Sequence, residues 1–337
     1  MMIYTIATLA SHSCLQILKG AKDEGFRTLA IGIKERSAFY KQFPFIDEFI
    51  GLNYYREFLE FSGILRKRKI IVVPHGSFVA YLGKGADEKV KLPYFGNKKI
   101  LEIEADRNKQ FSWLSKAKLL LPKTFTKVEE VDRPVIMKLH GAKGGQGYLF
   151  AKNKRDLSSK LKKTGNNINS IYLQEYIVGV PVYLQYFYSP LEKRLELMGI
   201  DKRYESSVDG IGRIPAFNQD SSFIEPTFTI IGNIPLVIRE SYLPLIYEMG
   251  RRVVEISKVL APPHGLYGPF CLETIVTPDQ KFYCIEISCR IVAGTNLFIK
   301  GSPYTDLLYN EPMSTGRRIA REIRLAINKG KLDTILD

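Results

Sequence analysis

The sequence predicts an α/β fold, with a parallel-sheet unit at the N-terminus followed by antiparallel strand pairs and a few amphipathic helices. Three observations predict it. Ile3 to Leu9, Ser11 to Glu24 and Thr28 to Ile33 read as strand, helix and strand, the opening of a parallel sheet. Near residue 100 the character changes, and the later apolar runs pair as hairpins across short turns. An apolar run ending in Lys138 opens onto Gly141 to Gly147, which holds four glycines in seven residues. Such a loop turns tightly and lets backbone approach a ligand closely.

The elements follow in order. Ile3 to Leu9 is an apolar run of strand length. Ser11 to Glu24 places Leu15, Leu18 and Ala21 on one helical face, and Gly25 ends it. Phe49 to Leu52 and Ile70 to Val73 extend the sheet. In open α/β sheets ligands sit outside the carboxyl ends of strands. Two loops fall at such ends, Ser11-His12-Ser13 and His75-Gly76-Ser77, and both carry hydroxyl and imidazole groups. Asp106 to Ala117 reads as a helix, and Ile171 to Ile177 as a strand. Val182 to Tyr188 and Leu195 to Ile200 form an antiparallel pair. Ser206 to Ser222 is polar and glycine-containing, so a mobile loop is expected. Leu243 to Leu260 and Arg317 to Asn328 are the remaining long helices.

The glycine loop lies between the strands Val135–Leu139 and Tyr148–Ala151. Successive N–H groups in such a turn make an anion-binding concavity, and Lys138 and Lys143 add positive charge. No Gly-Lys-Ser/Thr ends it, and it does not open a helix as Gly-x-Gly-x-x-Gly does. The pattern points to a polyphosphate clamp, and so to a nucleotide.

Phe270 to Thr277 and Phe282 to Ser288 are strand-like runs around Pro278-Asp279-Gln280-Lys281. With those four residues as the loop, Thr277 faces Phe282 and Glu273 faces Glu286. Opposed residues have Cβ atoms about 5 Å apart, so two carboxylates there repel unless a cation lies between them. Mg²⁺ is commonly held by one or two carboxylates plus substrate phosphates. By alternation Ser288 and Arg290 share the face of Glu286. Carboxylates, cation and arginine on one face make a floor for phosphoryl transfer.

The chain of 337 residues has room for two or three domains. Its net charge of +14 suits anionic ligands. The basic clusters Arg66–Lys69, Lys160–Lys163 and Arg317–Arg318 are far apart in sequence, which reads as solvated surface charge and against nucleic acid. No apolar run reaches the roughly 18 residues of a membrane span. Met1 to Ala10 lacks a basic leader, so a cytoplasmic protein is expected. Cys14, Cys271, Cys284 and Cys289 show no Cys-x-x-Cys pair, and they are not spaced as a zinc site or a disulfide framework.

Taken in order, Asp106-Arg107, Pro134-x-x-x-Lys138 with its glycine loop, the hinge Gln174-Glu175-Tyr176-Ile177, the paired glutamates and Arg290 resemble the ATP-grasp superfamily. Its members activate a carboxylate as an acyl phosphate that an amine or thiol attacks. Many carry Asn where this chain has Ser288. Further motifs narrow the resemblance: Ser11-His12-Ser13, Val73-Pro74-His75-Gly76-Ser77-Phe78, Tyr94-Phe95-Gly96-Asn97, Asp201 to Ser206, Gly232-Asn233-Ile234-Pro235 and Arg290 to Asn296. These are similar to the archaeal formate-dependent 5-formaminoimidazole-4-carboxamide ribonucleotide synthetases of purine biosynthesis. Ala10 and Ser207 depart from the pattern, where Gly and Asn are expected.

The resemblance implies a Rossmann-like domain over residues 1–100 and an α+β ATP-grasp domain over 101–337, with 122–180 as a small lid subdomain. It implies a cytoplasmic ligase, a homo-oligomer, that joins formate to aminoimidazole carboxamide ribonucleotide through formyl phosphate, with ATP as co-substrate. His12, Ser77 and Asn233 are implied for the ribonucleotide. Arg107, Lys138, Gly144, Gly145, Glu175, Tyr176, Ile177, Val178 and Glu205 are implied for ATP. Glu273 and Glu286 are implied for Mg²⁺, with Mn²⁺ as an alternative, and Arg290 for catalysis. Two other readings use the same residues, a ligase for another acid or amine and a non-catalytic nucleotide-binding paralogue. The retained glutamates and Lys138 favour an active enzyme.

Overall fold

The structure, a computed structural model, describes residues 4–83, 85, 87–139, 148–164, 171–215, 218–219 and 227–337. The glycine loop, with Gly144 and Gly145, lies outside the described residues, as does part of the 206–222 segment.

The first sheet holds β1 (Thr5–Leu9), β2 (Arg27–Ile33), β3 (Glu48–Leu52) and β4 (Ile70–Val72), all parallel, in the order β3-β2-β1-β4. Every residue of β1 and β4 is buried, as expected of parallel strands covered on both faces. The intervening helix, Cys14–Asp23, buries Ile17, Leu18 and Ala21 and ends before Gly25, whose φ of +80° suits only glycine.

A small antiparallel sheet follows: β5 (Thr124–Phe125), β6 (Val135–Leu139), β7 (Tyr148–Ala151) and β8 (Ile171–Glu175), in the order β5-β8-β6-β7. It has its own core, made of Phe125, Val131, Val135, Met137, Ala151, Leu157, Ile171 and Leu173. The large antiparallel sheet holds β9 (Val180–Ser189), β10 (Arg194–Glu205), β11 (Ile230–Pro235), β12 (Gly268–Val276) and β13 (Phe282–Ser288), in the order β11-β10-β9-β12-β13. The helix Leu243–Leu260 covers one face through Ile246, Met249 and Val253. Trp113, on the helix Arg107–Lys116 that Asp106 caps, donates to the Val253 carbonyl at 3.1 Å. No helix among the described residues is long and apolar enough to cross a membrane.

The two ends of the chain meet. The terminal helix Thr315–Asn328 lies on the helix Cys14–Asp23 with the backbones in contact. A Cβ on Gly20 would fall on the backbone of Arg317, and one on Gly316 on that of Gln16. Buried Glu24 accepts from Arg317 and Arg321 and pairs with Arg324. Tyr94 and Asp337 exchange two backbone bonds, joining the last residue to the first sheet.

Two expectations are corrected. Ser206–Ile211 is a short helix and not loop, because the Asp209 carboxylate reaches back to accept from Glu205 N at 2.6 Å. Arg317–Arg318 is not solvated surface charge. Arg318 is 1 % exposed and donates to Glu196, Glu322 and Glu192, with its guanidinium 4.3 Å from the Phe187 ring centroid. A polar helix face looks solvated in sequence, but here Glu192 and Glu196 await it, and Glu322 joins from the helix itself.

Removing one member of such a network strands buried charges. Arg318→Ala should destabilise the protein by about 3–5 kcal/mol. Arg324→Ala, on a half-exposed side chain, should cost about 1 kcal/mol or less. Urea unfolding of both variants checks this, and equal midpoints would contradict it.

Candidate functional site

A cleft of about 250 Å³ opens between the small sheet and the face of the large sheet away from the helix Leu243–Leu260. β6 supplies Ile136 and Lys138, β7 supplies Tyr148, and β8 with the segment after it supplies Gln174, Glu175, Tyr176, Ile177 and Gly179. The large sheet contributes Tyr183, Arg203, Glu205, Glu273 and Glu286, and Arg107 closes one side. One wall is therefore apolar and aromatic, with Phe228 and Ile230 added, and the floor is charged.

The charged floor follows from register. Glu273 faces Glu286 across β12–β13, as the alternation predicts. The route differs from the sequence reading. Val276, not Thr277, faces Phe282, so the loop has five residues, closed by Thr277 N to Lys281 O at 3.0 Å. The one-residue slip is undone at Ile285, an extra residue between the Thr274–Cys284 and Glu273–Glu286 pairs. Ser288 Oγ then donates to Glu273 Oε1 at 3.4 Å, on the shared face.

Arg203 is the residue that the sequence reading missed. Its Nη2 donates to Glu273 Oε1 at 3.1 Å, and its guanidinium lies 3.8 Å from the Tyr183 ring centroid. The signal was available, since Asp201, Arg203 and Glu205 alternate along one strand. Burial pushes the Glu273 carboxyl up, and Arg203 opposes this. The Glu286 carboxylate has no hydrogen bond or ion pair among the described residues. It is near enough for its charge to reach Lys138.

Lys138 is 4 % exposed at the end of β6, and its ammonium stands 5.4 Å from the Tyr148 ring centroid. Burial brings its pKa down to about 8, with the Glu286 and Glu273 charges opposing. Arg107 lies over the Tyr172 ring and donates to the Tyr148 hydroxyl at 3.4 Å. Burial, with the Asp209 charge, raises Glu205 to about 7. The Glu175 carboxylate is engaged by Arg133 and Lys123 N, so Glu175 braces the segment that follows it. Val178 is 71 % exposed and does not line the cleft.

His12, Ser77 and Arg290 form a second group. The loops after β1 and β4 bring the His12 and His75 rings into a stack at 5.2 Å, with the His12 ring against Gly76. His12 Nδ1 bonds Ser13 Oγ at 2.8 Å, and Ser77 N donates to His75 Nδ1 at 3.2 Å. Burial lowers His12 to about 2 and His75 to about 4, helped by Arg290, so both rings are neutral near pH 7. Gly76 N donates to Ile291 O at 3.1 Å, which draws the end of β13 onto this loop. Arg290, two residues beyond the end of β13, is fixed by Glu104 and by the Gly76 carbonyl and does not line the cleft, so it does not share the floor with Glu286 as strand alternation suggested. Asn233, on β11, faces Arg203 in register and donates to Asp201 Oδ2 at 2.7 Å.

Among the described residues no three His, Cys, Asp or Glu side chains converge to hold a metal. The opposed Glu273 and Glu286 still fit a cation whose other ligands are phosphate oxygens and water, the usual surroundings of Mg²⁺.

Comparison with known proteins follows this geometry. Residues 6–125 match the family described as "Protein of unknown function (DUF1246)", and residues 150–337 the one described as "Domain of unknown function (DUF1297)". The 5-formaminoimidazole-4-carboxamide-1-(beta)-D-ribofuranosyl 5'-monophosphate synthetase of Pyrococcus abyssi is 53% identical over 341 residues, covering 99% of this chain and 98% of that protein. The crystal structure of an IMP biosynthesis protein PurP from Thermococcus kodakaraensis superposes with a TM-score of 0.79 at 33% identity, covering 98% of this chain and all of that one. The ADP complex of purK, N5-carboxyaminoimidazole ribonucleotide synthetase, has a TM-score of 0.67 at 12% identity over 95% of this chain and 77% of that one, a likeness of fold alone.

The Lys138 amine should titrate near pH 8 in the free protein. Glu286→Gln removes a charge that favours the ammonium, so its pKa should fall further. NMR of reductively methylated lysines measures both values, and a rise in the variant would place Glu286 elsewhere.

Proposed function

The chain belongs to the 5-formaminoimidazole-4-carboxamide ribonucleotide synthetase family, and we propose that its cleft binds ATP, that its second group binds the ribonucleotide, and that formate is the acid joined between them. It is a carbon–nitrogen ligase with an ATP-grasp fold. The observation that carries the site assignment is the convergence of Lys138, Arg107, Arg203 and the Glu273–Glu286 pair in one cleft.

The reaction of the family fits this arrangement. A formate oxygen attacks the γ-phosphorus, the bond to the ADP oxygen breaks, and formyl phosphate forms. The 5-amino nitrogen of the ribonucleotide then attacks the formyl carbon. Phosphate leaves with the C–O bond electrons, and the amine loses a proton. Lys138 and Arg107 hold polyphosphate charge in a site shielded from water, where fixed charges act strongly. Tyr176, Ile177 and the apolar wall receive the base, and Glu205 accepts from ribose hydroxyls. Glu273 and Glu286 would hold Mg²⁺, or Mn²⁺ with similar oxygen ligands, and such an ion would supply positive charge to the phosphoryl oxygens. Arg290 faces the acyl phosphate with a guanidinium that Glu104 keeps from swinging away. His12 and Ser77 offer neutral hydrogen bonds to the ribonucleotide, since His12 is uncharged at working pH.

Formyl phosphate hydrolyses readily, so the site must close over it. A pocket for one carbon rejects a methyl group by contact repulsion, which can exceed the roughly 1–3 kcal/mol of a lost methylene contact. ADP release with the ribonucleotide present should be rapid with formate and far slower with acetate at equal concentration. Equal rates would leave only a ligase of another acid.

Glu273→Gln and Glu286→Gln should each raise the Mg²⁺ concentration needed for half-maximal rate. The Glu286 variant should suffer more, because Arg203 already neutralises Glu273 in the free protein. A Mg²⁺ titration of the rate measures this, and full activity of either variant at low Mg²⁺ would remove that residue from the metal site.

A further inference from the structure

The large sheet carries a buried chain of amide and carboxylate groups for which the cleft gives no reason. Gln185 Nε2 donates to Asp201 Oδ1, and Asn233 Nδ2 donates to Asp201 Oδ2 at 2.7 Å. Asp201 is 0 % exposed. A carboxylate only accepts, so both amides must turn their NH₂ groups toward it. The cost of this order is visible, because Gln185 Oε1 is left buried without a partner. Gly294 seals the pair, since a Cβ there would fall on Asp201 Oδ1 and Gln185 Nε2. With its NH₂ committed, Asn233 turns Oδ1 away from Asp201. No described residue donates to that oxygen. Asn233 is only partly buried, and it faces Arg203, whose charge reaches both Glu273 and His12.

We propose that Asp201 is a positioning residue that locks the Asn233 amide with its carbonyl oxygen toward the substrate, so that Asn233 reads an exocyclic N–H donor on the imidazole. This rests on the reading of the His12–Ser77–Asn233 group as the ribonucleotide site. The substrate carries two such donors on adjacent ring carbons, the 5-amino group and the 4-carboxamide NH₂. A fixed acceptor favours either over an analogue that lacks it, and it opposes a 4-carboxylate, oxygen against oxygen. A freely rotating amide could offer its NH₂ instead and would lose this preference.

The test uses the full chain with Asp201→Ala, Asp201→Asn and Asn233→Ala. KM is measured for the ribonucleotide and for ATP. Calorimetry measures binding of the ribonucleotide, its 4-carboxylate analogue and its analogue without the 5-amino group. Asp201→Asn should behave as the parent, because the new amide can accept from Asn233 and, once the Gln185 amide turns over, donate to Gln185 Oε1. Asp201→Ala should raise the ribonucleotide KM about tenfold or more, keep the ATP KM within about twofold, and reduce the preference over at least one analogue about tenfold. Unchanged preferences over both analogues, or equal rises in both KM values, would overturn the proposal. Where Asp201→Ala does not fold, Asn233→Ala on its partly exposed strand must lose the same preference, and its retention would overturn the proposal equally. A parent enzyme that does not turn over the ribonucleotide with formate would remove the underlying reading, and the proposal with it.

Discussion

The opposition of Glu273 and Glu286 across β12–β13 is the constraint around which the cleft is organised. Two carboxylates a few ångströms apart, with one of them buried, are unfavourable unless positive charge surrounds them. The protein surrounds them from several directions. Arg203 pairs with Glu273 from the neighbouring side of the sheet, and Lys138 reaches in from the small sheet. Arg107 lies beside Lys138, so three cations stand around the opposed pair, while Glu175 and Glu205 also line the cleft. A polyphosphate with its divalent ion completes the balance. The opposed carboxylates call for a divalent ion, and the clustered Lys138, Arg107 and Arg203 for phosphate oxygens.

Other buried charges serve to hold the chain together. Glu24 gathers three arginines of the terminal helix, and Arg318 of that helix reaches Glu192 and Glu196 of the β9–β10 hairpin as well as Glu322 of its own helix. Together with the backbone contact at Gly20 and Gly316, these clamp the first unit to the large sheet. The clamp sets where the loops after β1 and β4 stand. It lets Gly76 bond Ile291 and Arg290 bond Gly76, so the neutral histidines come within reach of the cleft's charges. A basic composition that suggested anionic partners is therefore spent partly on internal architecture.

What the sequence by itself determined was most of what has a short period, the helix Ser206–Ile211 excepted. Strand–helix–strand order, the hairpin around the glycine loop, the extent of the helix Leu243–Leu260 and the pairing of Glu273 with Glu286 all follow from apolar spacing, turn residues and alternation. The last of these emerged although the loop is one residue longer than its turn chemistry suggested, because Ile285 restores the register. The tertiary structure alone decided the rest. Arg203 acquires its place only when β9 brings β10 and β12 into one sheet, Arg318 becomes buried only when the helix docks, and the Asn233 amide finds Asp201 only when β11 pairs with β10. The reason is physical. Hydrophobic period is a local property, while the partner of a charge or an amide is chosen by proximity among residues as far apart in sequence as Glu24 and Arg321.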